Sequence, residues 1–323
     1  MTDDQENSLW RVSDLNPSHI PQIRKLFKDV FAKDMSDEHW HWKYGDGRGV
    51  GVVVEHDDEV ICFFGGTERR VLFNGEELCA MQCGDSMVAE AHRGTLSKKG
   101  PFYLSVTSFL GQYVGEGLPY LLSYGFPNAR AMRLAERLGM YEEVGTMLEV
   151  EWSSEQCSDY EGIEFDFASD QHRKCLESLW SKMASEFTDR AIGIRNWAYL
   201  KQRFHDHPTQ EYQVHIVSFA GNPESLGILV TRRVEDRLLL VDVVAPTRDI
   251  CHLIRYAKQL AFACQSRDLF GWLTEIDSAV ADNTGMRAGE VPLRLPLGIY
   301  SPGLRADDVR DKWFFMCGDS DFL

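Results

Sequence analysis

Between Pro17 and Lys33 the apolar residues Ile20, Ile23, Leu26, Phe27, Val30 and Phe31 fall three and four apart, which gathers them on one helical face. Asn16 or Ser18 supplies the cap. A short helix carrying Trp40 and Trp42 follows. The spacing then turns from helical to extended. Apolar runs at 50–54 and 60–64 enclose the acidic stretch Glu55-His56-Asp57-Asp58-Glu59, and runs at 68–73 and 77–83 enclose Asn74-Gly75, a tight-turn dipeptide, so two hairpins are predicted. A strand over 81–89, a helix over 102–115 and a buried strand over 120–124 come next. A helix over 129–138 stopped at Gly139 and a strand over 147–152 complete the series.

Residues 153–162, rich in Ser, Glu and Asp, read as a linker. After it the order recurs. Helices are predicted over 172–184 and 195–204, then a hairpin of 212–219 and 226–232 around Gly221-Asn222-Pro223, and a strand over 238–244. A long helix over 249–265, a strand over 270–273, a short helix over 278–284 before Gly285, and strands near 293–298 and 312–316 precede an acidic tail. Trp40 and Asp85 stand 45 residues apart, as do Trp197 and Asp242, and each pair is followed by a Gly-Met step. The chain therefore reads as one unit written twice, with domains over 1–152 and 163–323. From Asp85 to Gly139 there are 54 residues but from Asp242 to Gly285 only 43, so the first copy carries eleven more after its aspartate.

A length of 323 residues accommodates two such domains, and 44% hydrophobic with 26% charged residues is ordinary globular composition. The net charge of -16 excludes a general nucleic-acid binder, which needs clustered cations. It serves solubility first, and is compatible with a cationic or amine-bearing partner. The absence of a long apolar run and the acidic start at Met1 lead us to expect a cytoplasmic protein that does not enter a membrane. Eight cysteines without a CxxC read as reduced thiols. His39 with His41, and His205 with His207, are two apart and so on different helix faces, which argues against zinc; no metal site is expected.

The extra residues include Ala91-His92-Arg93-Gly94-Thr95-Leu96-Ser97-Lys98-Lys99-Gly100-Pro101-Phe102, a basic, glycine-containing loop between a strand and a helix. A diphosphate needs convergent backbone N–H groups and the positive end of a helix dipole, and such a loop provides both. Pro101 suits a first helical turn, where no N–H partner is lost. Arg93, Lys98 and Lys99 add positive charge.

The element order of each half, with Val88-Ala89-Glu90-Ala91-His92-Arg93-Gly94 and with Asn128-Ala129-Arg130-Ala131-Met132-Arg133-Leu134-Ala135-Glu136-Arg137-Leu138-Gly139-Met140, resembles the GNAT acyltransferases. The second stretch is similar to that family's Asn-x-x-Ala-x-x-Leu-x-x-x-x-Gly-aromatic helix, with Met140 at the last position. The resemblance implies an α/β fold of α+β type: two tandem GNAT-like domains, each a mixed, mostly antiparallel sheet flanked by helices. It further implies acetyl-CoA or another acyl-CoA as co-substrate, and a small-molecule or peptide amine as acceptor. The acyl-CoA site would comprise Met87, Val88, Arg93, Gly94, Lys98, Lys99, Gly100, Pro101, Phe102 and Asn128, with strand N–H groups near Met87 and Val88 polarising the thioester carbonyl.

The sequence departs from the family in two places. Its loop splits Arg93-Gly94 from Lys98-Lys99-Gly100, and Ala135 stands where many members place a tyrosine acid. Tyr141, Tyr124 or a water would then protonate the departing thiolate. Asp85 is either the general base or, since Asp242 repeats it without the loop, a structural residue. Three functions follow: an N-acyltransferase with an active first half and a supporting second half, a catalytically silent acyl-CoA-binding module, or a scaffold that recruits a partner.

Overall fold

The computed structural model describes residues 10–93, 98–274 and 284–320. The chain forms two compact units. Unit 1 comprises Met1–Arg69, Leu78–Val144 and Arg294–Asp308; unit 2 comprises Arg70–Glu77, Gly145–Leu293 and Val309–Leu323.

In unit 1 the strands lie in the order β1 (Arg11–Asp14), β2 (Gly49–His56), β3 (Glu59–Phe73), β4 (Glu76–Val88) and β5 (Leu122–Tyr124). The first two pairings are antiparallel, and β5 runs parallel to β4. The β2–β3 turn places Asp57 and Asp58 at φ 50° and 62°, the left-handed pair that a two-residue hairpin needs and that a short polar side chain tolerates. Edge strand β1 is tied down by Arg11, whose Nε and Nη2 donate to the two Glu55 oxygens at 3.0 and 2.8 Å.

Alternation along the paired strands builds two cores. Val53 faces Phe63 across β2 and β3, and both pack with Ile23 and Leu26 of α1 (Ile20–Phe31) and Trp40 and Tyr44 of α2 (Asp37–Tyr44). One residue along, Val52 faces Phe64 on the opposite side of the sheet. There they meet Phe109 and Leu110 of α3 (Pro101–Tyr113) and Met132 of α4 (Ala129–Arg137). Each such side chain contributes about 1.5–3 kcal/mol on burial. The cap of the first helical turn is Asn16, whose side chain accepts from Ser18 N while His19 returns a bond to Asn16 N.

Unit 2 is built on β6 (Tyr141–Ser153, from Gly145 onward), β7 (Tyr160–Glu164), β9 (Gln213–Phe219), β10 (Ser225–Val234), β11 (Arg237–Val244) and β12 (Asp268–Leu273). They lie in the order β6-β12-β11-β10-β9-β7, antiparallel except for β11 with β12. Helices α5 (Asp170–Ala184) and α6 (Ile250–Ala263) bury Leu176, Leu179, Leu253 and Ile254 in its core. Strand β8 (Ala191–Gly193) joins Val71–Phe73 and Trp313–Phe314 in a small ladder of the same unit.

Two expectations change here. Residues 153–162 are no plain linker: Ser153 ends β6, and Tyr160 opens β7, paired with Phe219 and only 5% exposed. Strand β6 also starts six residues before the predicted 147, because its buried residues Tyr141, Val144, Met147 and Val150 come every third position and hide the two-residue period of a strand. The helix expected over 278–284 lies outside the described residues save for Thr284, as does the tail beyond Ser320.

Candidate active site

Strand β4 is paired to β5 only through Ala80, Met81 and Gln82, opposite Leu122, Ser123 and Tyr124. It continues to Val88 beyond that register, and Asp85 interrupts it at φ 49°. A non-glycine residue held in the left-handed region costs of order 1 kcal/mol or more and bends a strand locally. The two parallel strands part after Gln82, three residues before the aspartate.

Past the split Ser86 and Val88, two apart on one face of β4, line a cavity of about 680 Å³ within unit 1. The start of α3 (Pro101, Phe102 and Tyr103) and the face of α4 carrying Asn128, Arg130, Arg133, Leu134 and Arg137 complete the walls with His92, Arg93 and Val30. A volume of this size suits a sizeable organic ligand.

The polar groups suit an anion. Helix α3 starts at Gly100, which caps it without a side chain, and its first i−4 bond runs from Leu104 N to Gly100 O. The amides of Phe102 and Tyr103 precede that bond and carry the positive end of the helix dipole. Arg93 Nε donates to Val88 O at 2.9 Å, which ties Arg93 to the end of β4. At the other end of the loop Trp10 Nε1 donates to Lys99 O at 3.0 Å. Asn128 caps α4 by accepting from Ala131 N at 2.9 Å.

Asp85 is held from the other side. Lys43 Nζ at 2.8 Å and Tyr44 Oη at 2.7 Å both meet its Oδ2, and the side chain is 11% exposed. Tyr141 Oη points at Cys83 Sγ, 3.6 Å away. Burial holds the Tyr141 hydroxyl well above the ordinary tyrosine range and pushes the Cys83 thiol up to about 12. Both groups therefore keep their protons at neutral pH, which removes Cys83 as a thiolate nucleophile.

Of the residues singled out from sequence, Val88, Arg93, Pro101, Phe102 and Asn128 meet in the cavity wall. Met87 turns its side chain into the core beside Trp40 and Phe63, which leaves its backbone alone to serve a ligand. Asp85, Tyr141 and Gly100 stand off the lining, and Lys98 and Lys99 are exposed in the turn before α3. Gly94 lies outside the described residues. Ser86, Tyr103, Arg130, Arg133 and Arg137 were not singled out. The arginines were legible, since positions i, i+3 and i+7 of a predicted helix share a face. No cluster of His, Cys, Asp or Glu is placed to hold a metal, and no helix is long and apolar enough to cross a membrane, among the described residues.

No protein-family model and no curated protein matches the sequence. Solved structures do. A conserved protein from Enterococcus faecalis V583 described as a probable N-acyltransferase superposes with a TM-score of 0.66 at 12% identity, over 90% of this chain and 72% of that one. A GCN5-related N-acetyltransferase from Anabaena variabilis gives 0.66 at 15% identity, over 90% and 73%. The chain has a tandem GNAT-like fold. The Saccharomyces cerevisiae N-myristoyltransferase with bound myristoyl-CoA shares it, with a TM-score of 0.59 at 11% identity over 98% of this chain and 90% of that one.

Proposed function

We propose that this protein is an acyl-CoA-dependent N-acyltransferase that uses acetyl-CoA or a longer acyl-CoA, with unit 1 active and unit 2 supporting it. The observation that carries the reading is the cavity at the β4–β5 split, where the uncapped start of α3 and the arginine face of α4 meet. The kinship in fold to proteins described as N-acetyltransferases and N-myristoyltransferases agrees with it. The ligand's diphosphate would rest on the Phe102 and Tyr103 amides, and its pantetheine arm would follow β4 along Val88 and Ser86. The thioester carbonyl would lie against the β4 backbone near Met87, where strand N–H groups stabilise a developing oxyanion.

The neutral nitrogen of an amine, on a small molecule or a peptide, attacks the carbonyl carbon. The new C–N bond forms as the C–S bond breaks, the amine surrenders a proton and the thiolate gains one. Asp85 is the proposed acceptor of that proton through Oδ1 or a bridging water, since Lys43 and Tyr44 occupy Oδ2. Tyr141, protonated at neutral pH, is the proposed donor to sulfur. Orientation of the two reactants supplies the larger part of the rate.

Calorimetric titration with acetyl-CoA tests the site. One equivalent per chain is expected, and Gly100→Asp, which sets a carboxylate at the start of α3, should weaken binding at least about tenfold. Absence of binding, or binding indifferent to that change, overturns the proposal. Thiol release across a panel of amines then separates an enzyme from a catalytically silent acyl-CoA-binding module. That second reading draws on one observation: buried Ala135 stands where many GNAT proteins carry a tyrosine acid.

A further inference from the structure

Arg130, Arg133 and Arg137 project from one face of α4 into the cavity wall, and all are exposed. None forms an ion pair with a carboxylate among the described residues, although Glu136 stands within their own helix. In a chain with 50 acidic and 34 basic residues, a row of arginines left without acidic partners runs against the composition. Along the helix axis the row spans about 10 Å, at a rise of about 1.5 Å per residue.

Charge balance narrows the ligand. A diphosphate diester brings about two negative charges, and the start of α3 with Arg93 is already matched to it through paired amides and one guanidinium. The row on α4 is then surplus. A terminal phosphate monoester adds roughly 1.5 to 2 further negative charges at neutral pH, with three acceptor oxygens that suit guanidinium forks. We infer that Arg130, Arg133 and Arg137 read the 3′-phosphate on the ribose of coenzyme A, and so select the complete coenzyme over a carrier that lacks this group. The inference rests on the acyl-CoA reading of the same cavity and assigns its specificity.

The test compares CoA with 3′-dephospho-CoA by titration calorimetry on the full chain, in the wild type and in the triple variant Arg130→Ala, Arg133→Ala, Arg137→Ala. The wild type should prefer CoA by about tenfold or more, the size expected when a charge-assisted group is lost. The variant should bind the two ligands alike, its preference for the 3′-phosphate lost. The three side chains are exposed, so the fold should survive, and a melting curve checks this. Replacement by lysine should restore part of the preference, since a point charge replaces a fork. A preference that persists in the alanine variant, or an equal loss for both ligands, overturns the inference. Wild-type binding of both ligands without preference removes it while leaving the acyl-CoA site intact, whereas no binding of either removes the proposed function and this inference together.

Discussion

Asp85 in unit 1 and Asp242 in unit 2 stand at matching intervals from a tryptophan, each beside a place where parallel strands part, yet their surroundings differ. In unit 1, β4 leaves β5 after Gln82, Asp85 takes a left-handed backbone, and a cavity opens beside Ser86 and Val88. In unit 2, β11 leaves β12 after Leu240, and the β10–β11 register slips between Val230 and Thr231, opposite Asp242 and Leu240. There the turn Cys317–Asp319 closes on the split. Cys317 Sγ accepts from Trp272 N at 3.1 Å, and Met316 bridges Leu273. Arg195 joins the turn to the aspartate, with Nε on Asp242 at 2.8 Å and Nη2 on Asp319 at 2.6 Å, all fully buried. Arg203 adds a bond to Gly318 O at 3.0 Å, and a Cβ on Gly318 would stand 2.8 Å from Asp242 Oδ2, so only glycine fits. A parting of parallel strands stands beside a cavity in unit 1 and, where the turn Cys317–Asp319 enters, becomes a structural joint in unit 2.

The sharpest way to break this comparison is to remove the cation on each side. Arg195→Ala takes the bridging cation from two buried carboxylates and should cost about 3–5 kcal/mol, read from urea unfolding followed by tryptophan fluorescence. Lys43→Ala should cost about 1–2 kcal/mol, because Asp85 keeps Tyr44 and some water. Equal losses would mean that the two aspartates do the same job.

A second measurement separates chemistry from architecture. Asp85→Asn should lower kcat about 100-fold with little change in KM for acyl-CoA. Asp242→Asn should move the unfolding midpoint and, while the protein is folded, leave kcat near wild type. If Asp85→Asn changes stability alone, its role is to hold the bulge.

The smallest effect concerns the edge of unit 1. The Arg11 guanidinium holds the Glu55 carboxyl below its usual range, against a smaller opposing push from burial. A lowered folded value means that the stabilisation is complete above the unfolded carboxylate value of about 4.3 and is lost as pH falls through the folded one. Wild type should therefore lose its advantage over Glu55→Gln only below about pH 4. The difference in melting temperature at neutral pH should be about 2 °C, since Arg11 is largely in water. A gap that stays constant down to strongly acid pH would contradict this origin.

Much of the local structure is legible because its signals act over a few residues. Asn16 as a cap, Asn74-Gly75 as a turn, Gly139 after a helix and Pro101 at the start of one all act within a few residues. The cavity is half legible: the basic stretch before α3 and Asn128 stand out in the sequence, and the arginines of α4 share a face by their spacing alone. Tyr141 was proposed by its place in the chain, but its hydroxyl is aimed at Cys83, 58 positions earlier, and no local pattern reports that.

By itself, then, the sequence determined most of the helices and hairpins, the recurrence of the Trp-to-Asp interval and the basic loop before a helix, but not the short strands β1, β7 and β8, since hydrophobic period and backbone preference are properties of neighbouring residues. Tertiary structure alone decided which split between parallel strands stays open. That choice depends on what arrives from far along the chain: Lys43 reaches Asp85 in unit 1, while Asp319 and Gly318 reach Arg195 and Asp242 in unit 2. Close packing lets a gap be either filled or open, and a repeat in sequence does not say which.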